Sequence, residues 1–156
     1  MTAYALDHIS RRILQLLAAD GRASYVAIAD EVGLSRPAVM ERVKRLEEAG
    51  FIRGYHADLD ASKLGFAITV FAMVSLKSQA EEDLRGFEDH VKTLPEVREC
   101  HMLNGEIDFI LKIVAPDLQS FQQILTTQLT TAPNVEHVKT SLTIRTSKAL
   151  PGVPVP

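Results

Sequence analysis

A single cysteine, Cys100, excludes a disulfide framework within the chain. No run approaches the roughly 18 consecutive apolar residues that a membrane span needs. The first residues, "MTAYALDHISRR", lack the basic start and apolar stretch of a signal peptide. A soluble cytoplasmic protein that makes no use of a membrane is therefore expected. There is no internal repeat and no low-complexity tract. Glycine-rich phosphate loops, nucleophile elbows and catalytic lysine motifs are missing too. His8, His56, His90, His101 and His137 show no metal-ligand spacing with Cys100. Adjacent Cys100 and His101 point to opposite faces of an expected strand, so Cys100 is expected to be a small core residue. No cofactor, no metal and no catalytic residue is expected. The formal net charge of −3 is not that of a non-specific nucleic-acid coat, so any site for nucleic acid must be local.

Hydrophobic residues are plentiful, at 46% of 156, enough to pack a core in one ordinary domain or two small ones. The pattern changes near residue 60. Before it the apolar spacing is helical. Leu6, Ile9, Ile13, Leu16 and Leu17 follow one helix face, and Gly21 is the expected C-cap. Ser24 is the expected N-cap of a second helix with Ile28, Ala29 and Val32 inward, ended by Gly33. Ser35 caps a third, with Pro37 in its first turn and Val39, Val43 and Leu46 inward, and Gly50 stops it. "FIRGYHADLD" then reads as extended. Three short helices with a tight turn before the third make a helix-turn-helix.

The third helix carries the local charge. Between Ser35 and Leu46 lie Arg36, Arg42, Lys44 and Arg45 against the one acid Glu41, a balance of +3 in an acidic chain. With the apolar stripe inward, Arg36, Pro37, Ala38, Glu41, Lys44 and Arg45 fall on outer or flanking surfaces, with Arg42 at the edge. A recognition helix meets base edges near its N-terminus. Arginine reads guanine bidentately, and lysine neutralises phosphate. At this level the alternative is a solvated basic face beside Glu47 and Glu48.

Beyond residue 60 strands and helices alternate. "FAITVFAMVSLK" is apolar on both faces of a strand. "AEEDLRGFEDHVKTL" is an amphipathic helix with Leu84, Phe87, Val91 and Leu94 inward. "EVRECHML" and "EIDFILKIV" are strands joined by Asn104-Gly105, a strong hairpin signal. "DLQSFQQILTTQL" is a helix capped by Asp117, and "NVEHVKTSLTIRTS" a last strand. The order β-α-β-β-α-β is ferredoxin-like, so the fold class is α+β. A two-residue turn pairs Leu103 with Glu106, Met102 with Ile107, His101 with Asp108 and Cys100 with Phe109. One face then holds Cys100, Met102, Ile107, Phe109, Leu111 and Ile113 and meets the helices. The other holds Val97, Glu99, His101, Leu103, Asp108, Ile110, Lys112 and Val114, and needs a cover. A second copy is the simplest cover, so a homodimer is expected. The tail "ALPGVPVP" is expected to be loose or docked on a neighbour.

Taken together, "ILQLLAADGRAS", "VGLSRPAVMERVKRLEEAGFIRGYHADLD", "LPEVRECHMLNGEIDFIL" and the last strand with Thr140-Ser141 resemble the Lrp/AsnC family, also called feast/famine regulators. The resemblance covers residues 6 to about 148. It implies a winged helix-turn-helix at 1–51, a hinge strand and linker at 52–63, a ferredoxin-like effector and assembly domain at 64–148, and a proline-rich tail at 149–156. It implies a transcriptional regulator binding a pseudo-palindromic double-stranded operator and responding to an amino-acid effector, built from dimers that assemble to octamers. Ser35, Arg36, Pro37, Ala38 and Glu41 are then expected near bases, and Arg42, Lys44 and Arg45 nearer phosphate. Members place their effector against a Gly-x-x-Asp loop at a contact between dimers. The matching positions are Gly105 and Asp108, with Leu103, Asn104, Glu106, Thr140 and Ser141 as lining. Turn amides can hold a carboxylate, and Asp108 an ammonium. Without the resemblance, Asn-Gly is simply a type I′ turn and Asp108 a cross-strand partner of His101. The chain departs from the family at Ser10, where aspartate is usual, which should affect only the first helix cap, and at Val138, often threonine. Two other functions stand beside this one: an enzyme like the siroheme decarboxylases, whose fold is similar, and a metabolite sensor without DNA binding.

Overall fold

The computed structural model describes residues 6–156, so the first five residues of the expected 1–51 domain lie outside the described residues. The chain divides into two units. One runs up to Asp58 and also takes in Lys148–Pro156, and the other is Leu59–Ser147.

The first unit is built on three helices: α1 (His8–Ala19), α2 (Tyr25–Val32) and α3 (Arg36–Glu48). Their ends follow from single residues. Asp7 caps α1 by accepting from the Ser10 amide at 2.7 Å. Ser24 caps α2 through the Ala27 amide, and Ser35 caps α3 through the Ala38 amide. Each cap satisfies one of the otherwise orphaned N–H groups of a first turn. Gly33 ends α2 at φ +67°, a left-handed conformation that favours glycine. The end of α1 differs from expectation: its C-cap is Asp20, extended at φ −142°, and Gly21 lies beyond in the turn. Asp20 makes that turn itself, its carboxylate accepting from the Arg22 amide at 2.8 Å. Ile13, Ile28, Ala29, Val39, Val43 and Leu46 form the buried core of this unit.

The segment expected as a hinge strand forms no strand. A strand needs a partner for its N–H and C=O groups, and none lies alongside among the described residues. The segment leads instead into one 3-10 turn, Ser62–Leu64, whose start is held by the Asp60 carboxylate. The tail groups with the helical unit, where the Arg11 guanidinium donates to the Pro156 carbonyl at 3.0 Å.

The second unit runs β1 (Ile68–Leu76), α4 (Glu81–Lys92), β2 (Val97–Met102), β3 (Phe109–Ala115), α5 (Leu118–Ile124) and β4 (Val135–Leu142). The sheet order is β2-β3-β1-β4, every pair antiparallel. This is the ferredoxin-like βαββαβ arrangement. Val70, Ala72, Val74 and Leu76 of β1 alternate inward with Phe109, Leu111, Ile113 and Ala115 of β3. They pack with Phe87 and Val91 of α4, Phe121 and Ile124 of α5, and Leu129. Phe87 and Phe109 meet with ring centroids 4.8 Å apart. The helix expected to Leu129 widens into a π turn over Leu125–Leu129. There Thr126 and Thr127 turn their hydroxyls back onto the Gln122 and Gln123 carbonyls, which disturbs the regular helix ladder. β4 stops at Leu142, opposite Val70 and short of its expected end at 147; one further bond, from the Thr143 amide to the Thr69 carbonyl at 2.9 Å, reaches the start of β1.

The β2–β3 hairpin is the main correction. Cys100 lies opposite Leu111, His101 opposite Ile110 and Met102 opposite Phe109. The Leu103 amide donates to the Asp108 carbonyl at 2.8 Å, leaving residues 104–107 as the turn. Neither Asn104 nor Gly105 has the positive φ of a type I′ turn. The cause is Asp108. Its amide donates to the Val74 carbonyl, and its carboxylate accepts from the Leu76 amide, so it belongs to the edge of β1 and not to a tight turn. The register therefore moves by two residues. Because side chains alternate with period two, Cys100 stays on the core face with Phe109, Leu111 and Ile113, but a bulge between Val97 and Glu99 turns Val97, expected on the other face, opposite Ile113 and against the core. Asp108 itself is buried, and does not meet His101. His101 and Lys112 both donate to Glu99 instead, at 3.3 and 2.8 Å. Met102, expected inward, is 60% exposed at the strand's end. Phe71, Met73, Ile110 and Val114 remain partly exposed on the face away from α4 and α5.

Candidate functional site: the third helix and the loops around Asp108

Ser35, Arg36, Pro37, Glu41, Lys44 and Arg45 are exposed along α3, while Ala38 is half-buried. Lys44 lies 3.7 Å from Glu48, and Arg45 lies 3.0 Å from Glu41. Exposed i,i+4 pairs are worth only a few tenths of a kcal/mol, so both cations can turn to a phosphate at little cost. Arg36 has neither an ion pair nor a side-chain hydrogen bond among the described residues. It is the cation on this helix that needs no release. Met40, 43% exposed, joins Tyr25, Pro37, Glu41, Lys44 and Glu47 around a shallow groove on the same surface. Met40 is a candidate functional residue that the basic pattern of the helix does not single out. Its position one turn from Arg36 and off the Val39–Val43–Leu46 stripe is the signal that places it outward.

Arg42 has a different place from its expected one. Its guanidinium donates to Asp7 at 2.7 Å and to the Ser10 hydroxyl at 3.1 Å, tying α3 to the start of α1. Ser10 is buried, so the departure from the family at this position concerns the junction of two helices and not the cap alone. The Ser10 backbone N–H and the Arg42 guanidinium hold the Asp7 carboxyl at a pKa of about 2. A carboxyl depressed in the folded state stabilises it above the unfolded value near 3.8, and that contribution is lost as pH falls toward 2. Arg42→Ala is expected to lower stability by about 0.5–1.5 kcal/mol at pH 7. The deficit against the parent should narrow between pH 4 and pH 2. Urea midpoints of both proteins across that range check this; a deficit constant with pH would mean that Arg42 acts without Asp7.

The second cluster lies where three loops meet at one end of the sheet. Asp108 is only 8% exposed. One carboxylate oxygen accepts from the buried Leu76 amide at 2.7 Å. The other accepts from the Gln79 carboxamide at 2.8 Å, out of the loop between β1 and α4. That loop is fixed by Asn134, in left-handed backbone at φ +63°, whose side chain donates to the Ser78 carbonyl at 2.8 Å. The Lys77 amide donates to the Asn134 carbonyl, also at 2.8 Å. Leu103, Asn104, Gly105 and Glu106 are exposed beside Asp108 in the neighbouring turn. Thr140 and Ser141 are not brought to this turn within one chain. They sit on β4 opposite Ala72 and Phe71, with β1 and β3 between them and β2. Gln79 and Asn134 were not visible as site residues in the sequence, because only the shifted hairpin brings Asp108 to them.

Among the described residues no group of three or more His, Cys, Asp or Glu could hold a metal ion, and no helix is long and apolar enough to cross a membrane. Cys100 is half-buried against the core, and burial pushes its thiol up to about 11, which leaves little thiolate for chemistry.

Comparison with known proteins supplies the rest. Residues 69–153 match the family model described as the Lrp/AsnC ligand binding domain. Residues 6–53 match one described as winged helix-turn-helix DNA-binding. The chain is similar to a leucine-responsive regulatory protein of Rhizobium meliloti, with 47% identity over 92% of each chain. It is also similar to the Bkd operon transcriptional regulator of Pseudomonas aeruginosa, with 40% identity over 90% of this chain and 92% of the other. Among solved structures, a transcriptional regulator of Neisseria meningitidis in complex with L-methionine superposes with a TM-score of 0.91. Its identity is 29%, over 96% of this chain and 97% of the other.

Proposed function

Because the chain belongs to the Lrp/AsnC family of DNA-binding transcriptional regulators, we propose that it reads a two-fold symmetric operator with α3 and adjusts that binding to an amino acid held beside Asp108. The observation that carries the DNA half is Arg36: an unpaired guanidinium at the exposed, capped start of α3. Pro37, Ala38, Met40 and Glu41 flank it and complete a surface with both charged and apolar contacts for base edges. Lys44 and Arg45 lie further along the helix, in reach of phosphate. Arg42 holds the helix in place and is not assigned to DNA.

The effector half rests on Asp108 and the exposed turn at 103–106. The leucine-responsive name of one relative and the L-methionine bound to another support an amino acid as the ligand. Its ammonium meets Asp108, and its carboxylate meets turn amides from Asn104 to Glu106. Thr140 and Ser141 join such a site only from another copy of the chain. The sheet face with Phe71, Met73, Ile110 and Val114 gives the first copy its contact, and dimers assemble further, to octamers. Light scattering at micromolar concentration should give a dimer or its multiple; a monomer would leave Thr140 and Ser141 without a role. As a regulator of transcription it works in the cytoplasm, and no reaction is assigned to it.

Selecting fragments of genomic DNA with the full chain tests the DNA half. The enriched fragments should share a pseudo-palindrome with half-sites about 10 bp or a multiple apart. Recovery of fragments with no common sequence would overturn it.

A further inference from the structure

The environment of Asp108 holds an anion without a cation. The carboxylate is 8% exposed, yet no lysine, arginine or histidine lies within ion-pair distance of it among the described residues. Burying a carboxylate is unfavourable unless donors or a countercharge replace its water. Here two neutral donors do so, and they are not equivalent. The Leu76 amide is buried main chain, fixed in place by β1. The Gln79 carboxamide is the end of an exposed, flexible side chain on a loop. One carboxylate oxygen is thus permanently occupied, and the other is occupied by a group that can leave.

We infer that Gln79 is an internal placeholder for the effector: the ammonium of the amino acid displaces its carboxamide from Asp108, and the residue at 79 sets effector affinity. This rests on the effector site proposed above. A cation is a better partner for a buried carboxylate than a neutral amide, since charge-assisted contacts are about twice as strong as neutral ones. The displaced Gln79 regains solvent and rotamer freedom. Binding strength is then the difference between two occupants of one oxygen, so weakening the internal one strengthens the external one. The neighbouring bonds of Asn134 to residues 77 and 78 hold the backbone while the Gln79 side chain exchanges.

The test is calorimetry of the full chain with each of the twenty standard amino acids, then of variants with the amino acid that binds the parent most tightly. Gln79→Ala is expected to bind it about ten- to a hundredfold more tightly, the net worth of one hydrogen bond to a charged group. Gln79→Lys carries its own ammonium to Asp108 and is expected to bind it at least tenfold more weakly. The α-hydroxy acid with the same side chain has no ammonium and should gain nothing from Gln79→Ala. Opposite shifts at one position are not what a merely structural residue gives. Equal or weaker binding by Gln79→Ala, or unchanged binding by Gln79→Lys, overturns the placeholder. Asp108→Asn separates the two levels. If it weakens binding while both Gln79 variants behave like the parent, only the placeholder fails. If the parent binds no amino acid, or Asp108→Asn binds as well as the parent, the site itself fails and the placeholder with it.

Discussion

Asp108→Asn is expected to destabilise the second unit by about 1–3 kcal/mol and to weaken amino-acid binding by at least tenfold. The stability effect follows from the two bonds the carboxylate makes. Both of its oxygens accept from N–H groups, those of Leu76 and Gln79. An asparagine keeps one acceptor oxygen for the Leu76 amide and can meet Gln79 only through its NH2, with the Gln79 carboxamide turned to offer its oxygen, so both charge-assisted bonds are replaced by weaker neutral ones. Had Asp108 stood in a tight turn opposite His101, the same change would have kept shape and hydrogen bonding and cost little. Urea unfolding reads the first effect, and calorimetry with the amino acid reads the second. Unchanged stability would show that the charge of Asp108 adds nothing to its bonds with Leu76 and Gln79. Binding of DNA without effector should change little, because α3 belongs to the other unit.

Arg36→Ala is expected to cost about 1–3 kcal/mol on the selected operator and to blur one base position, the behaviour of a lost bidentate base contact. Lys44→Ala is expected to weaken all duplexes alike and to reduce the salt slope by about one. The contrast arises within one helix. Arg36 stands at its start, where a recognition helix approaches bases, and has no internal partner to return to. Lys44 lies two turns on and leaves only an exposed pair with Glu48. Binding isotherms at several salt concentrations, on the operator and on a scrambled duplex, separate the two. Equal loss on both duplexes for Arg36→Ala would make it a phosphate contact.

The elements were legible wherever a local residue decides them. Ser24, Ser35 and Asp117 cap helices because their side-chain oxygens reach amides three residues on. Gly33 ends a helix because its φ is positive. The alternation in β1 and β3 and the stripe of α4 gave the βαββαβ order. What escaped depends on contacts distant in sequence. The hairpin carried the strongest local turn signal in the chain, and Asp108 overrode it by bonding to a strand more than 30 residues earlier. Arg42 looked like another member of a basic face, since nothing local shows that Asp7 and Ser10 wait 35 and 32 residues away. Thr140 and Ser141 were grouped with the turn by resemblance, and the single chain keeps them on the far side of the sheet. At the candidate site the sequence thus named Asp108 and the turn beside it, and missed Gln79, the side chain that occupies it.

Fluorescence anisotropy of the selected operator addresses both halves of the function at once. The full chain is titrated onto operator and scrambled duplexes at fixed salt, with and without the amino acid that binds it most tightly. The account predicts operator binding about 10³-fold or more tighter than scrambled binding. It also predicts that the amino acid shifts operator affinity by at least about fivefold, the lower end of ordinary coupling between sites, and that the shift disappears in Asp108→Asn. Equal affinity for the two duplexes, or an operator affinity that no amino acid moves, would contradict it.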